Sequence, residues 1–364
     1  MFKGKKRLKI ASVLSIALSA TAAHADGAAV DNNIKVFVPN LKPAYEVNLG
    51  VLWLKPGASN LNYVILNNEL PIQSPMWYEQ ELTPSYTAAF DLGIRRIFPN
   101  SGADLSLDWT HLYSSTSETT VAPNDTYFLG PDFEIGPDGL SIRQANGNVK
   151  FRYDIVNLDA GQYVNFGERV RVRFFGGLST GSLKEQVTST YSGNVTGGGF
   201  PGPFSTTQRV SSEFFGIGPR LGLSGNVYAG YGFSVSGEAA ASALIGSIDS
   251  LSTYSSSSQE LLSLYGQNVN YQKIKDQAVY QVVPGFSAKF AVDYMYAYNA
   301  NTLLAVAAGY QAAVYMNAIS QYTPATLVDG EGIQTGGIFV ETMSHRLSNY
   351  TVQGPFLNFT LNFS

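Results

Sequence analysis

Hydrophobic positions in this chain recur with a period of two. Near the C-terminal end, Leu357, Phe359, Leu361 and Phe363 alternate with Asn358, Thr360, Asn362 and Ser364. An extended strand with that pattern has one apolar and one polar face. The alternation recurs at Tyr45, Val47, Leu49, Val51 and Trp53, and again at Tyr86, Ala88, Phe90, Leu92 and Ile94. It continues at Leu105, Leu107 and Trp109, set against Asp104, Ser106 and Asp108. Val149, Phe151, Tyr153 and Ile155 oppose Lys150, Arg152 and Asp154, and Val170, Val172 and Phe174 oppose Arg169, Arg171 and Arg173. Stretches at about 213–224, 227–245, 282–294 and 302–317 bring the predicted strands to ten.

Short and long gaps alternate between these strands. Short turns are expected at Pro99-Asn100-Ser101-Gly102, at about 160–167, at Gly225-Asn226 and at Asn299-Ala300-Asn301. Long polar gaps follow the first strand and recur at about 115–147, 182–211, 247–275 and 319–346. Strict alternation of this kind predicts an all-β fold: a transmembrane antiparallel up-and-down β-barrel with long extracellular loops and short periplasmic turns. A soluble sandwich or lipocalin-like barrel would also alternate polarity, but its gaps need not alternate in length. Eight or twelve strands are the alternatives to ten, because Tyr63-Val64-Ile65-Leu66 admits a further strand or a hairpin within the first loop. Pro284 lies in mid-strand, which predicts a bulge there.

The N-terminus carries Lys3, Lys5, Lys6, Arg7 and Lys9, then an apolar run from Ile10 to about Ala23, then Ala23-His24-Ala25. This reads as a secretory signal over residues 1–25, leaving a single barrel domain over 26–364. The run is too short to span a hydrocarbon core as a helix of ~20 residues. Losing five cations and no acid takes the formal net charge from −4 to −9. An acidic secreted chain is a poor partner for nucleic acid. Cysteine is absent, which excludes disulfides and thiolate metal sites. The glycine and aromatic content (36 Gly, 22 Tyr, 21 Phe) suits twisted strands and interface girdles, for which Trp53, Trp109, Tyr294 and Tyr310 are candidates.

If the apolar faces meet lipid, the charged faces turn inward, since Lys or Arg on the lipid side costs ~2–4 kcal/mol at the midplane. The expected pore-lining residues are Asp91, Arg95, Asp104, Asp108, Lys150, Arg152, Asp154, Arg169, Arg171, Arg173, Arg220, Lys289 and Asp293, with Glu46 and Glu238 also on inner faces. They would filter solutes, or they would pair into a network that fills the barrel. About eight strands make a filled barrel and 16–18 an aqueous channel, so ten lie nearer the filled end.

Catalytic constellations are thin. Of three histidines, His24 leaves with the signal, and Asp108 and His111 point to opposite faces of one strand. His345 follows Ser344 without a recognisable frame. Gly197-Gly198-Gly199 lacks the lysine of a phosphate loop. No enzyme activity, metal or cofactor is expected.

Short pieces over most of the chain carry a family resemblance: Leu52-Trp53-Leu54, the FGIGPRLG segment of Phe215–Gly222, Val282-Val283-Pro284-Gly285, Ala308-Gly309-Tyr310-Gln311, and Gly354-Pro355-Phe356. Together they resemble the pore-forming major outer membrane protein family of Legionella. That resemblance implies a porin in the outer membrane of a Gram-negative bacterium, among lipid and lipopolysaccharide. The chain departs from the family in having no cysteine for cross-linking, and from many outer-membrane barrels in ending on Ser364 after Phe363. The expected function is passive diffusion of ions and small hydrophilic solutes. The alternative is a closed barrel whose surface loops contact a host.

Overall fold

In the computed structural model, the described residues are 44–67, 77–99, 101–124, 127–131, 140–195, 202–256, 271–275, 279–299, 301–329 and 338–363. The expected signal peptide, Gly197-Gly198-Gly199 and residues 257–270 of the Ser-rich gap lie outside them. The strands are β1 (Ala44–Gly57), β2 (Asn62–Asn67), β3 (Trp77–Glu81), β4 (Thr87–Ile97), β5 (Ala103–Val121), β6 (Phe128–Pro131) and β7 (Leu140–Phe166). They continue as β8 (Val170–Val195), β9 (Gly202–Gly230), β10 (Phe233–Ser256), β11 (Tyr271–Lys275), β12 (Val279–Asn299), β13 (Thr302–Asp329) and β14 (Ile338–Phe363).

Ten of these close a ring in the order β1-β4-β5-β7-β8-β9-β10-β12-β13-β14, and β14 pairs back onto β1. All pairings are antiparallel. The closure joins Tyr45 to Phe363 and Val51 to Leu357. Tyr63–Leu66 falls in β2, the centre of a three-stranded sheet β3-β2-β6 within the loop-side region. β11 extends the β10 edge beyond β12.

Three details differ from expectation. The chain does not turn at Gly225-Asn226, which stay in the β9 ladder. It turns at Tyr231-Gly232, where Gly230, Tyr231 and Gly232 all take positive φ (102°, 52° and 84°), a geometry two flanking glycines make accessible. Pro284 pairs in register with Ala243 and makes no bulge. The β12–β13 ladder instead begins one residue later, at Gly285↔Tyr315, so the missing N–H of Pro284 costs no rung. The irregularity sits in β13, between Tyr315 and Ile319 of its ladder with β14, where Asn317 has φ 55°. Lastly, the long gaps are mostly strand: β5 runs to Val121, β8 to Val195 and β9 starts at Gly202. Ser- and Thr-rich runs keep their ladder hydrogen bonds there.

Polarity inverts partway along these long strands. At the short-turn end the outer face is apolar: Leu105, Leu107, Leu158, Phe174, Leu178, Leu221, Leu223, Val292 and Phe359 are exposed there. Tyr45, Phe98, Phe166, Phe233, Tyr296 and Phe363 form an aromatic girdle at its edge. Arg96 lies over the rings of Tyr45 and Phe98 at 5.4 and 5.3 Å. Trp53, Trp109, Tyr294 and Tyr310 are likewise exposed on the outer face.

Further along, the outer face becomes charged. Arg152, Lys184, Glu213 and Asp249 stand side by side on four consecutive strands, in direct register. The inner face at and beyond that row carries large buried apolar side chains, Val149, Phe151, Leu183, Val187, Tyr191, Val210, Phe214 and Ile248, with buried Ser and Gln residues between them. The strands thus begin as a membrane barrel and continue as a wall with a soluble protein's polarity. Residues of the β1–β2 connection and of the small sheet (Leu61, Tyr63, Val64, Leu82 and Leu129) pack into that upper core. A Cβ on Gly147 would meet the Tyr63 ring at 2.7 Å, so glycine is required at this approach.

Candidate functional site

The lower interior holds a cavity of about 610 Å³ that reaches the short-turn rim at Asn299, Asn301 and Tyr163. Its wall is built by alternate residues of the barrel strands. β1 supplies Glu46 and Asn48; β4 supplies Asp91 and Arg95; β5 supplies Asp108 and Thr110. β7, β8, β9 and β10 add Asp159, Arg171, Arg173, Arg220 and Glu238, and β12 adds Lys289 and Asp293.

Most of these charges are paired. Arg173 donates to Asp104 from Nε and Nη2 at 2.8 and 2.5 Å and to Ser106 at 3.2 Å. Both partners are almost fully buried, with side chains 3% and 0% exposed. Arg220 bonds Asp159 and reaches Glu238 at 3.2 Å. Both guanidiniums lie over the Phe175 ring, Arg173 at 4.7 Å and Arg220 at 4.8 Å from its centre, so each gains a cation–π contact. Arg95 bonds Glu46 and the Tyr163 hydroxyl, both at 3.1 Å. Lys289 meets Asp91 at 3.2 Å, and Thr110 donates to the same carboxylate oxygen at 3.2 Å. Arg171 bonds Asn165 at 2.9 Å, with its guanidinium near the Tyr163 and Tyr228 rings. Asp108 and Asp293 have no ion pair among the described residues.

The alternation therefore places Asp91, Arg95, Asp104, Asp108, Arg171, Arg173, Arg220, Lys289 and Asp293 on the inner face. Four expected lining residues are elsewhere. Lys150, Arg152 and Asp154 point outward, because Val149, Phe151, Tyr153 and Ile155 are the buried inner face at that height. Their charges face the aqueous surroundings above the lipid band, so they incur no lipid penalty. Arg169 is exposed in the turn between β7 and β8, where its carbonyl accepts from Tyr228 N–H. Asp159, Glu46 and Glu238 complete the inner set. With the exterior residues removed, seven carboxylates face five cations among the described lower lumen residues.

The exterior row carries a pair that sequence spacing did not suggest. His111 Nδ1 lies 2.6 Å from Asp154, which also accepts from Arg152 Nε at 2.7 Å. The register match His111↔Asp154 across β5 and β7 creates this contact. The His111 ring neighbours Phe90 and Trp109. No hydroxyl nucleophile bonds it among the described residues. His345 Nε2 lies 3.0 Å from Ser320 Oγ, and its ring stacks on Tyr322 at 4.3 Å. It has no carboxylate partner among the described residues.

Above the cavity the lumen is crossed by aromatic side chains. Tyr153 on β7 and Tyr315 on β13, on opposite sides of the ring, bring their hydroxyls to 3.2 Å. Tyr350 stacks on Tyr153 at 6.2 Å and meets Phe151 edge-on at 5.5 Å. Past Asn317, β13 loses its alternation: Ala318, Ile319, Ser320 and Gln321 are all buried. This stretch crosses the interior. Ser320 N–H donates to Ser212 on β9 at 2.9 Å, Ser252 on β10 donates to Tyr322 O at 2.6 Å, and Gln321 donates to Glu185 on β8 at 2.9 Å.

Among solved structures, the chain is similar to the outer membrane protease OmpT from Escherichia coli: 10% identity and a TM-score of 0.39, over 90% of this chain and 97% of that one. It is also similar to the translocator domain of autotransporter NalP from Neisseria meningitidis, at 9% identity and 0.34, over 97% and 95%. The monoaromatic hydrocarbon channel CymD aligns at 9% identity and 0.32, over 89% of each chain. Likenesses at this level say nothing about activity. A comparison with curated proteins finds no match. The sequence pattern of the family described as Legionella pneumophila major outer membrane protein precursor matches residues 37–363, so this chain belongs to that family and is a β-barrel of the bacterial outer membrane.

Proposed function

We propose that this barrel is a diffusion channel for ions and small hydrophilic solutes, with a preference for cations, described here in a conformation closed on its loop side. The charged cavity at the short-turn end carries the reading. A filled structural barrel has no need of a space of about 610 Å³ lined by opposed charges. The excess of two carboxylates sets the preference, because charged side chains in a lumen select by sign. No covalent step, metal or cofactor enters. The partners are the solutes inside and the lipid and lipopolysaccharide around the band.

The cross-lumen contact of Tyr153 with Tyr315 favours a second reading, in which the barrel is permanently sealed and its loop-side wall contacts a host surface. Conductance of the refolded protein in a planar bilayer under a salt gradient separates the two. Resolvable steps with a cation-signed reversal potential are expected. A silent bilayer containing folded, inserted protein would leave the contact surface as the function.

A further inference from the structure

Glu185 is the one acid buried in the apolar upper interior among the described residues. It lies on β8 beside Lys184, whose side chain points outward in the exterior charged row, so it stands above the lipid band. Its residue is 1% exposed. One carboxylate oxygen accepts from Asn60 Nδ2 at 2.8 Å and from Gln321 Nε2 at 2.9 Å. The other oxygen has no partner among the described residues. Asn60 belongs to the segment between β1 and β2, which Ser59 anchors to Ser348 of β14. Gln321 belongs to the crossing stretch of β13. One carboxyl group thus ties together three parts of the chain that close the lumen.

We propose that Glu185 is a pH-responsive latch of this seal, tightening it as the surroundings acidify. The inference rests on the channel reading only for its consequence in conduction; the latch itself is a property of the closed interior. Burial pushes the Glu185 carboxyl up to about 7, and the Asn60 and Gln321 donors pull it partly back. A carboxyl released to water by opening returns to an ordinary value near 4.3. The closed form therefore binds the proton more tightly. Its added stability is full below the ordinary value and is lost as pH rises through about 7. The group is well placed to act alone. From β14 it is faced by the Tyr350 phenol, whose hydroxyl lacks a partner among the described residues. In the same upper interior the Tyr191 hydroxyl donates to the Tyr63 carbonyl, and the Tyr63 hydroxyl bonds Thr120. No lysine or arginine bonds it among the described residues. The titratable groups at the crossing stretch itself are Tyr322 and, from β14, His345, which is held to Ser320 and stacked on Tyr322.

Hydrogen exchange of residues 318–323, corrected for intrinsic rates, tests this in nanodisc-embedded protein at pH 5 and 8. Protection is expected to rise roughly tenfold or more at pH 5. Glu185→Gln, neutral at both pH values, is expected to abolish the difference. Gln321→Met removes a donor to the charged form and is expected to move the midpoint to higher pH. Equal protection at both pH values in the unaltered protein overturns the proposal. So does a difference that survives in Glu185→Gln, which would assign it to His345. Bilayer recordings of the same proteins separate the two ideas. Longer closures at pH 5 support both, whereas absent conductance with pH-dependent exchange sinks the channel and supports the latch.

Discussion

The buried Arg173–Asp104 pair shows how single residues divide the labour in the lower lumen. Two charged hydrogen bonds hold it in a fully buried place, where loss of Arg173 would leave Asp104 with only the longer contact to Arg95 at 3.9 Å. Arg173→Met is expected to lower unfolding stability by about 3 kcal/mol, read as a reduced urea midpoint in lipid vesicles, and Arg173→Met with Asp104→Leu should recover much of that loss. If the single variant unfolds at the unaltered midpoint, the pair is not structural. Arg171 is different: it is less buried, and its charge faces the cavity. Arg171→Glu is expected to move the reversal potential further toward cations, while Arg152→Glu leaves it unchanged because Arg152 is outside. An equal shift in both would contradict the assigned faces. Sequence alternation read Arg171 and Arg173 onto the inner face, yet it gave Arg152 the same orientation. The rule that charge turns inward holds only within the lipid band, and nothing local in Val149–Ile155 reveals that this stretch has left it.

Strand β7 makes the same point for a whole element. From Phe166 to Leu158 its outer face is apolar, and from Asp154 to Lys150 it is charged, with no slip in its ladder to β8 between them. Period-two patterning survives the inversion, so the strand was legible and its facing was not. The turns were read well at 99–102 and 299–301, came out later than expected at 167–169, since residues 160–166 stay in the β7–β8 ladder, and were missed at Tyr231-Gly232, because Gly225-Asn226 offers the stronger local turn signal. β13 was unreadable past Asn317, since a stretch buried on both faces has no alternation to detect. Asn317 sits at φ 55°, which asparagine tolerates and a β-branched residue does not. Asn317→Val is expected to cost about 1–2 kcal/mol and to loosen the crossing stretch, visible as faster hydrogen exchange at Ala318–Gln321. Asn317→Gly should exchange like the unaltered protein. Unaltered exchange in Asn317→Val would mean that the kink does not direct the crossing.

At the scale of the molecule, the ten-strand ring, the alternation of short turns and loop-side connections, and the apolar belt all follow from the repeat of two. The division of the interior into a charged lower cavity and an apolar upper core does not, because it depends on which strands meet across the lumen. The height of the wall has its own consequence. Twelve residues of β8, from Lys184 to Val195, lie at or above the exterior charged row. At about 3.3 Å per residue and a tilt of about 40°, they rise roughly 30 Å from that level. Headgroups and the first sugars of the surrounding lipid cover only the foot of such a tower. An antibody or a phage tail fibre would therefore meet a broad, rigid flank of hydrogen-bonded strands, and substitutions that alter recognition should fall along its sides as well as at its summit.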